Sequence, residues 1–450
     1  MLLSGKRRKR ASQATRVVAL SFGAIILVGT ILLMLPFASA SGESCGLITA
    51  LFTATSATCV TGLILMDTMT GWTIFGQVVI LLMIQLGGLG FMTVLFFLAS
   101  AMHKKPSLNQ RLHIVSAFNL DDMSDTVRVV KHALQTTFLL EGAGAAILTI
   151  CFVPRYGWSA IWKGVFISVS AFCNAGFDIL GPEGVGSISS YGGHPIVLLT
   201  ICCLIVCGGL GFFVWEEIRA KRSFKALSLY SKMVIWLTGT LILFGAVFFF
   251  CAEFRNGGTF GNMPVWKKAL NAIFQSVTLR TAGFTAIDQG ALTDVSLVMS
   301  AMLMLVGGSS GSTAGGLKTV TIGVLLLALR EGLRGKEQVT FRGRTIPQSK
   351  VLSALTLVLV VGALFLVSSM AIAIVDGVPY LHAAYEAASA IGTVGLTTGI
   401  TSGLSAVSHI LLIAMMYLGR VGVLSFSLAF LARGKAINKI NYPETNVMIG

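Results

Sequence analysis

Thr58-Cys-Val-Thr-Gly62 returns three times along the chain, as Phe172-Cys-Asn-Ala-Gly176, Leu279-Arg-Thr-Ala-Gly283 and Ile391-Gly-Thr-Val-Gly395. Leu63, Phe177, Phe284 or Leu396 follows each glycine. The glycines are 114, 107 and 112 residues apart. A second series trails them: Gly87-Gly-Leu-Gly90, Gly208-Gly-Leu-Gly211, Gly307-Gly308 and Gly419-Arg-Val-Gly422, at offsets of 25, 32, 24 and 24 residues. Two series in register over four copies define an internal repeat, the unit from which the rest of the chain is read.

Composition gives the solvent. Of 450 residues, 55% are hydrophobic and 11% charged, with a mean hydropathy of +0.84. A water-facing globular chain carries about 25% charged residues. Charge-free runs cover Val17 to Ala38, Trp72 to Met102, Pro195 to Val214, Met233 to Ala252, Val351 to Val375 and Ala387 to Gly419. Each reaches the roughly 20 residues that cross a bilayer as a helix. The chain reads as an all-α polytopic membrane protein.

Net charge is +15, yet its distribution argues against nucleic acid. Lys6 to Arg16, Lys104 to Lys131, Arg219 to Lys232, Arg330 to Lys350 and Arg433 to Lys439 hold 25 of the 33 Lys and Arg. The alternate loops hold five and carry Glu43, Asp67, Asp178, Glu183, Glu253, Asp288, Asp294 and Asp376. Basic loops mark the cytoplasmic side, so both termini are expected inside. Lys6 to Ala40 imitates a secretory signal with its Ala38-Ser-Ala40, but the apolar stretch exceeds the usual 7–15 residues and the repeat needs this helix. Eight Cys and six His show no metal spacing, and no disulfide framework is implied.

Each unit then reads as an outward helix (about 17–38, 131–153, 230–253, 349–375), a short re-entrant segment (about 46–57, 159–172, 264–278, 380–391), the glycine segment, and a returning helix (about 72–101, 194–218, 291–333 with an interruption, 404–432). Phe52, Phe166, Phe172, Ile273, Phe274, Ala387 and Ala390 make the short segments too apolar for surface loops. The organisation is an N-terminus 1–16, repeats at 17–101, 131–219, 230–333 and 348–432 in a pseudo-fourfold arrangement around one ion pathway, an inner loop 102–130 and a tail 433–450.

A dehydrated monovalent cation needs oxygen in place of its water shell, and backbone carbonyls supply it without titrating. Presenting successive carbonyls to one axis needs backbone that glycine adopts freely. Such backbone survives at membrane depth only inside protein or lining water. One glycine alone would read as a helix-breaking turn; four in register read as ion ligands. The candidate ion-binding residues are Thr58, Cys59, Val60, Thr61 and Gly62; Cys173, Asn174, Ala175 and Gly176; Arg280, Thr281, Ala282 and Gly283; and Gly392, Thr393, Val394 and Gly395. Thr58, Thr61, Thr281 and Thr393 could add hydroxyl oxygens or brace the loops. Arg280 is expected to point outward or behind the segment, paired with an acid such as Asp288 or Glu386.

These segments resemble the membrane subunit of the Ktr/Trk/HKT potassium uptake superfamily, closest to the bacterial Ktr type. The matching stretches are Ala54 to Leu63, Ala171 to Phe177, Gln275 to Phe284, Gly308 to Lys318 and Gly419 to Gly422, with Tyr442-Pro-Glu444 through Ile449-Gly450 in the tail. The resemblance implies potassium uptake through a four-segment filter. It also implies a membrane homodimer in a bacterial plasma membrane and a separate cytosolic ring of subunits binding ATP or ADP. The transported ion is potassium, with sodium as the alternative; no organic cofactor is expected in this chain.

Gly307, Gly308, Ser309, Ser310, Gly311, Ser312, Thr313, Gly315 and Gly316 interrupt the third returning segment, too glycine-rich for a stable helix. In the family this loop is the gate. Lys318 and Arg420 are charges inside apolar helices, where they are costly and face cavities. Arg420 takes the slot glycine holds in the other repeats, where a fixed positive charge would bar cations; a structural ion pair is the plainer alternative. Gly311, Gly316, Lys318 and Thr319 nearly match a phosphate loop, with Leu317 inserted and no strand feeding it. A sodium-coupled symporter on the same scaffold is the competing transport reading. A membrane enzyme is disfavoured, because Asp121, Asp122 and Asp125 are the single close acid cluster, in a basic loop.

Overall fold

The computed structural model describes residues 5–90, 126–181, 188–336 and 338–422. The end of the first returning helix, Asp121, Asp122, Asp125, Glu183, the last basic cluster and the tail through Gly450 lie outside the described residues.

The first unit contains α1 (Gly5–Leu33), α2 (Leu47–Thr58), a single turn α3 (Thr68–Gly71) and α4 (Ile74–Leu89). The second contains α5 (Thr126–Tyr156), α6 (Ser159–Phe172), α7 (Pro195–Leu210) and α8 (Phe212–Lys221). The third contains α9 (Leu229–Ala252), α10 (Val265–Thr278), α11 (Asp294–Leu305) and α12 (Thr319–Gly332). The fourth contains α13 (Gln348–Asp376), α14 (Tyr380–Gly392) and α15 (Ala406–Val421). A two-stranded hairpin, β1 (Thr340–Phe341) with β2 (Arg344–Thr345), is the non-helical exception to the all-α expectation. Arg342 and Gly343 take positive φ at its turn, as a tight two-residue hairpin requires.

Among the described residues four single helices are long and apolar enough to cross a membrane, and they are the four outward ones, α1, α5, α9 and α13. Between 22% and 33% of each apolar window is buried. Leu359, Val367 and Ile374 on α13 stay exposed because lipid solvates them as well as protein does. The short helices invert this pattern. Thr53 through Thr58 on α2 and Ala383 through Gly392 on α14 are all buried.

The returning helices start on built stops. Thr73, Thr293 and Ser405 cap α4, α11 and α15 by accepting from the N–H three residues on, and Pro195 opens α7. One of them breaks where the sequence suggests continuity. The second, expected as one helix over 194–218, bends by 93° at Gly211. The apolar run continues through Phe212 to Val214, so hydropathy does not reveal the break. Gly90, Gly211 and Gly422 all end their helices at φ of 80, 94 and 88°.

Packing closes a circle. Each outward helix packs on its own short helix: α1 on α2, α5 on α6, α9 on α10, α13 on α14. Each returning helix packs on the short helix of the next unit: α4 on α6, α7 on α10, α11 on α14, and α15 back on α2.

Candidate functional site

The four glycine segments follow directly from the C-terminal ends of α2, α6, α10 and α14. Gly62, Gly176, Gly283 and Gly395 have φ of 98, 71, 82 and 93°. The residues two before them, Val60, Asn174, Thr281 and Thr393, are also left-handed, at φ of 56, 58, 67 and 52°. Four residues of three types, valine, asparagine and threonine, share one strained conformation, so the surrounding structure imposes it.

The segments touch in cyclic order. A side chain begun on Gly62 would stand 3.2 Å from the Gly176 Cα; one on Gly176, 2.9 Å from Gly283; one on Gly283, 3.4 Å from Gly395; and one on Gly395, 2.8 Å from Gly62. The same positions meet the carbonyl oxygens of Ala175, Ala282, Val394 and Thr61 in turn. These four carbonyls, each just before a glycine, hold equivalent places around one centre.

Hydrogen bonds brace three segments alike. Thr61, Ala175 and Val394 each donate a backbone N–H to a short-helix carbonyl five residues back, those of Ser56, Ser170 and Ser389, all at 2.8 Å. Ser56 and Ser389 also accept through Oγ from the Gly62 and Gly395 N–H, both at 3.0 Å. The serines six before the glycine are a sequence signal that repeat comparison can find. The Ser170 Oγ makes no such bond, and the third unit has Val277 there. The Oγ1 atoms of Thr58, Thr61 and Thr393 are buried without a hydrogen-bond partner. Thr281 Oγ1 lies 3.3 Å from the Asn174 side chain.

Cys59 and Cys173 cap the C-terminal ends of α2 and α6. Thr58 is the last residue of α2, and Gly392 is still helical and packs on the Met304 carbonyl. The second glycine series explains itself here. Gly87 packs on the Thr58 carbonyl, Gly208 on that of Phe172 and Gly419 on that of Ile391, each four residues before a ring glycine. Any Cβ would collide, so the returning helix reaches the end of the short helix only through glycine.

The third unit breaks this rule because a loop intervenes. Its neck is closed by Gly307 N–H to Leu317 O at 2.8 Å and Thr319 N–H to Gly308 O at 3.0 Å. Its body crosses to the second unit: Ser309 N–H donates to Gly209 O at 3.0 Å, Thr313 N–H to Gly208 O at 3.3 Å, and Thr313 Oγ1 to Phe172 O at 3.1 Å. Phe212 N–H donates to Gly311 O at 2.9 Å, and Tyr230 OH to Ser310 O at 3.2 Å. Ser312 Oγ folds back on Ser309 O, Gly311 and Gly316 take positive φ, and Gly315 abuts Thr393. The N–H groups of Ser309 and Thr313 are spent on carbonyls, which leaves them unable to cradle a phosphate.

Arg420 completes the crossing. Its guanidinium donates to the Thr313 carbonyl, to Gly87 O, and to Gly88 O at 3.2 Å. It therefore joins the fourth unit, the loop of the third and the first at once. No acid pairs with it among its hydrogen-bond partners. Lys318 Nζ donates to Ala314 O at 2.8 Å and Gly315 O at 3.4 Å, holding the loop from its exit.

Arg280 finds oxygens of α9 and of the loop in place of the expected acid. It donates to Thr238 O at 3.2 Å, Gly307 O at 3.3 Å and Thr319 Oγ1 at 3.3 Å. Glu386 is already taken by Thr397, Thr398 and Thr401 in the loop after the fourth segment. Asp288 caps the Gly290 N–H. Carbonyl acceptors leave no trace in a sequence, which is why the sequence pointed to a carboxylate. Glu141 was missed outright: buried in α5, it accepts from Gln85 on α4 at 3.2 Å.

Comparison with known proteins follows the same outline. The family profile described as TrkH, cation transport protein, matches residues 3–438. The chain is 38% identical over the whole of both chains to the potassium/sodium uptake protein NtpJ of Enterococcus hirae. It is 39% identical to the Ktr system potassium uptake protein B of Bacillus subtilis, covering 97% of this chain and 96% of that one. In structure it resembles the potassium transporter TrkH of Vibrio parahaemolyticus, with a TM-score of 0.73, 18% identity, and 93% and 85% of the two chains covered.

Proposed function

Because the chain belongs to the TrkH family of cation transport proteins, we propose that it is a multi-pass plasma-membrane protein carrying potassium through the ring closed by Gly62, Gly176, Gly283 and Gly395. The carbonyls of Thr61, Ala175, Ala282 and Val394 replace the ion's water. The C-terminal ends of the four short helices add partial negative charge around it. The orphaned hydroxyls of Thr58, Thr61 and Thr393 are buried acceptors of the kind an ion pathway satisfies. The observation that carries the reading is the cyclic closure of the four glycines, which no pair of neighbouring turns would produce.

Transport is barred beside the ring by the glycine loop and Arg420. The loop spans from the third unit to the second, and the guanidinium from the fourth to the first, so all four units are tied across one place. Opening requires those bonds to break. The names of the relatives favour potassium, and one includes sodium, so sodium either competes in the ring or drives uptake. The chain works as a membrane homodimer, with its basic inner loops receiving a separate cytosolic nucleotide-binding subunit. The test is flux of potassium into liposomes holding the purified protein, with and without sodium. Potassium flux independent of sodium supports the channel-like reading; a strict sodium requirement supports the coupled one; no cation flux overturns both.

A further inference from the structure

We propose that Arg280 is a positioning residue that couples the glycine loop to the ring, so that releasing the loop also loosens ion selection. The inference rests on the pore reading above. Arg280 is part of the third glycine segment, three residues before Gly283. Its side chain reaches the two ends of the loop together: Gly307 O at the entry and Thr319 Oγ1 at the exit. Thr319 Oγ1 also donates to Gly307 O at 3.2 Å, so entry and exit are clasped and Arg280 holds the clasp. The third arm, to Thr238 O, anchors the guanidinium on α9.

The residue is 8% exposed, and its acceptors are carbonyl and hydroxyl oxygens, not an acid. A buried cation held only by dipoles depends on each of them. Its Nε makes no hydrogen bond, and the residue lines a small cavity together with Thr238, Ile242, Val277 and Gly308. The two outer nitrogens therefore carry the link. When the Arg420 contact to Thr313 breaks, the loop swings about this neck, and the neck pulls on residues covalently joined to Ala282 and Gly283. Loop position and ring geometry are thereby one coordinate in the third unit.

The experiment uses the full chain in liposomes and reads two quantities, resting potassium flux and the potassium-to-sodium flux ratio. Arg280→Lys keeps the charge and loses the fork. Thr319→Val removes the exit contact without touching the ring. Both are expected to raise resting flux and lower the ratio together, each by roughly three- to tenfold, the order expected when the net contribution of one ordinary hydrogen bond is lost. A purely structural role would move neither quantity beyond loss of folded protein, which gel filtration reports. The proposal is overturned if either variant shifts one quantity alone, or neither. If Arg280→Lys does not fold, Thr319→Val decides. Arg420→Ala is the control for the pore reading: unchanged resting flux there removes the barrier on which the coupling depends, and the proposal falls with it.

Discussion

The Cα of Gly62 lies 2.8 Å from where a side chain on Gly395 would begin, so the last glycine segment packs directly on the first, across 333 residues of chain. Gly62 in turn crowds the Ala175 carbonyl. Gly62→Ser therefore places a Cβ both at a left-handed φ of 98° and inside the ring. The potassium-to-sodium flux ratio should fall by about tenfold, equivalent to ~1.4 kcal/mol of lost discrimination. A wild-type ratio in folded protein would remove Gly62 from the ion path.

Arg420→Ala removes three donations, to Thr313, Gly87 and Gly88, and a fixed positive charge. Resting potassium flux in liposomes should rise by about tenfold or more, since hydrogen bonds from a charged group contribute about 1.5–3 kcal/mol each. Arg420→Lys should fall between, because an ammonium cannot serve the Thr313 and Gly87 carbonyls in one plane. Equal flux in all three proteins would show that the guanidinium is only a strut.

Deleting Ser309 to Thr313 removes the loop's hold on the second unit while leaving the neck and Lys318 in place. Resting flux is expected to rise at least as far as in Arg420→Ala, and adding that substitution should raise it little further, since both break the same crossing. Additive increases from the two changes would separate the loop from the arginine.

What the sequence makes legible is what glycine alone can do. Gly62, Gly176, Gly283 and Gly395 stand at positive φ, and Gly87, Gly208 and Gly419 at contacts with no room for a Cβ, so chemistry forces the same letter each time. Val60, Asn174, Thr281 and Thr393 share the conformation, yet their types differ and only Asn174 belongs to a residue that tolerates it well. The long helices are legible from hydropathy. The bend at Gly211 is hidden by apolar residues on both sides, and the Arg280 partners by being backbone oxygens.

Glu253, just past the end of α9, is a stability clasp with a pH signature. It accepts from Asn256 and Thr259, both at 2.6 Å, and from Thr293 through N–H and Oγ1. Burial alone would raise its carboxyl, but hydrogen bonds from Ser296, Thr259, Thr293 and Asn256 outweigh it and hold the group below the ordinary value. A lowered folded pKa means the unfolded chain binds the proton first. The contribution is present above the ordinary glutamate value of about 4.3 and is lost as pH falls through the lowered folded one. Glu253→Gln should lower the melting temperature of detergent-purified protein at pH 7, and the gap to wild type should narrow as pH drops below about 4. A gap constant from pH 7 to pH 3 would mean that the charge contributes nothing.

The serine braces give a test internal to the repeat. Ser389→Ala leaves the Gly395 N–H, buried beside the ring, with no acceptor, and Ser56→Ala does the same to Gly62. An orphaned buried donor costs about 1–3 kcal/mol. Ser170 stands at the matching position of the second unit, but its hydroxyl holds nothing there. Ser170→Ala should therefore keep wild-type selectivity, while Ser56→Ala and Ser389→Ala lose about fivefold or more in the potassium-to-sodium ratio. The comparison cancels position on the short helix and side-chain size, because all three replacements are the same atom in the same register. If all three serines tolerate alanine equally, the ring is held by its backbone bonds alone, and the pairing of Ser389 with Gly395 has no part in selection.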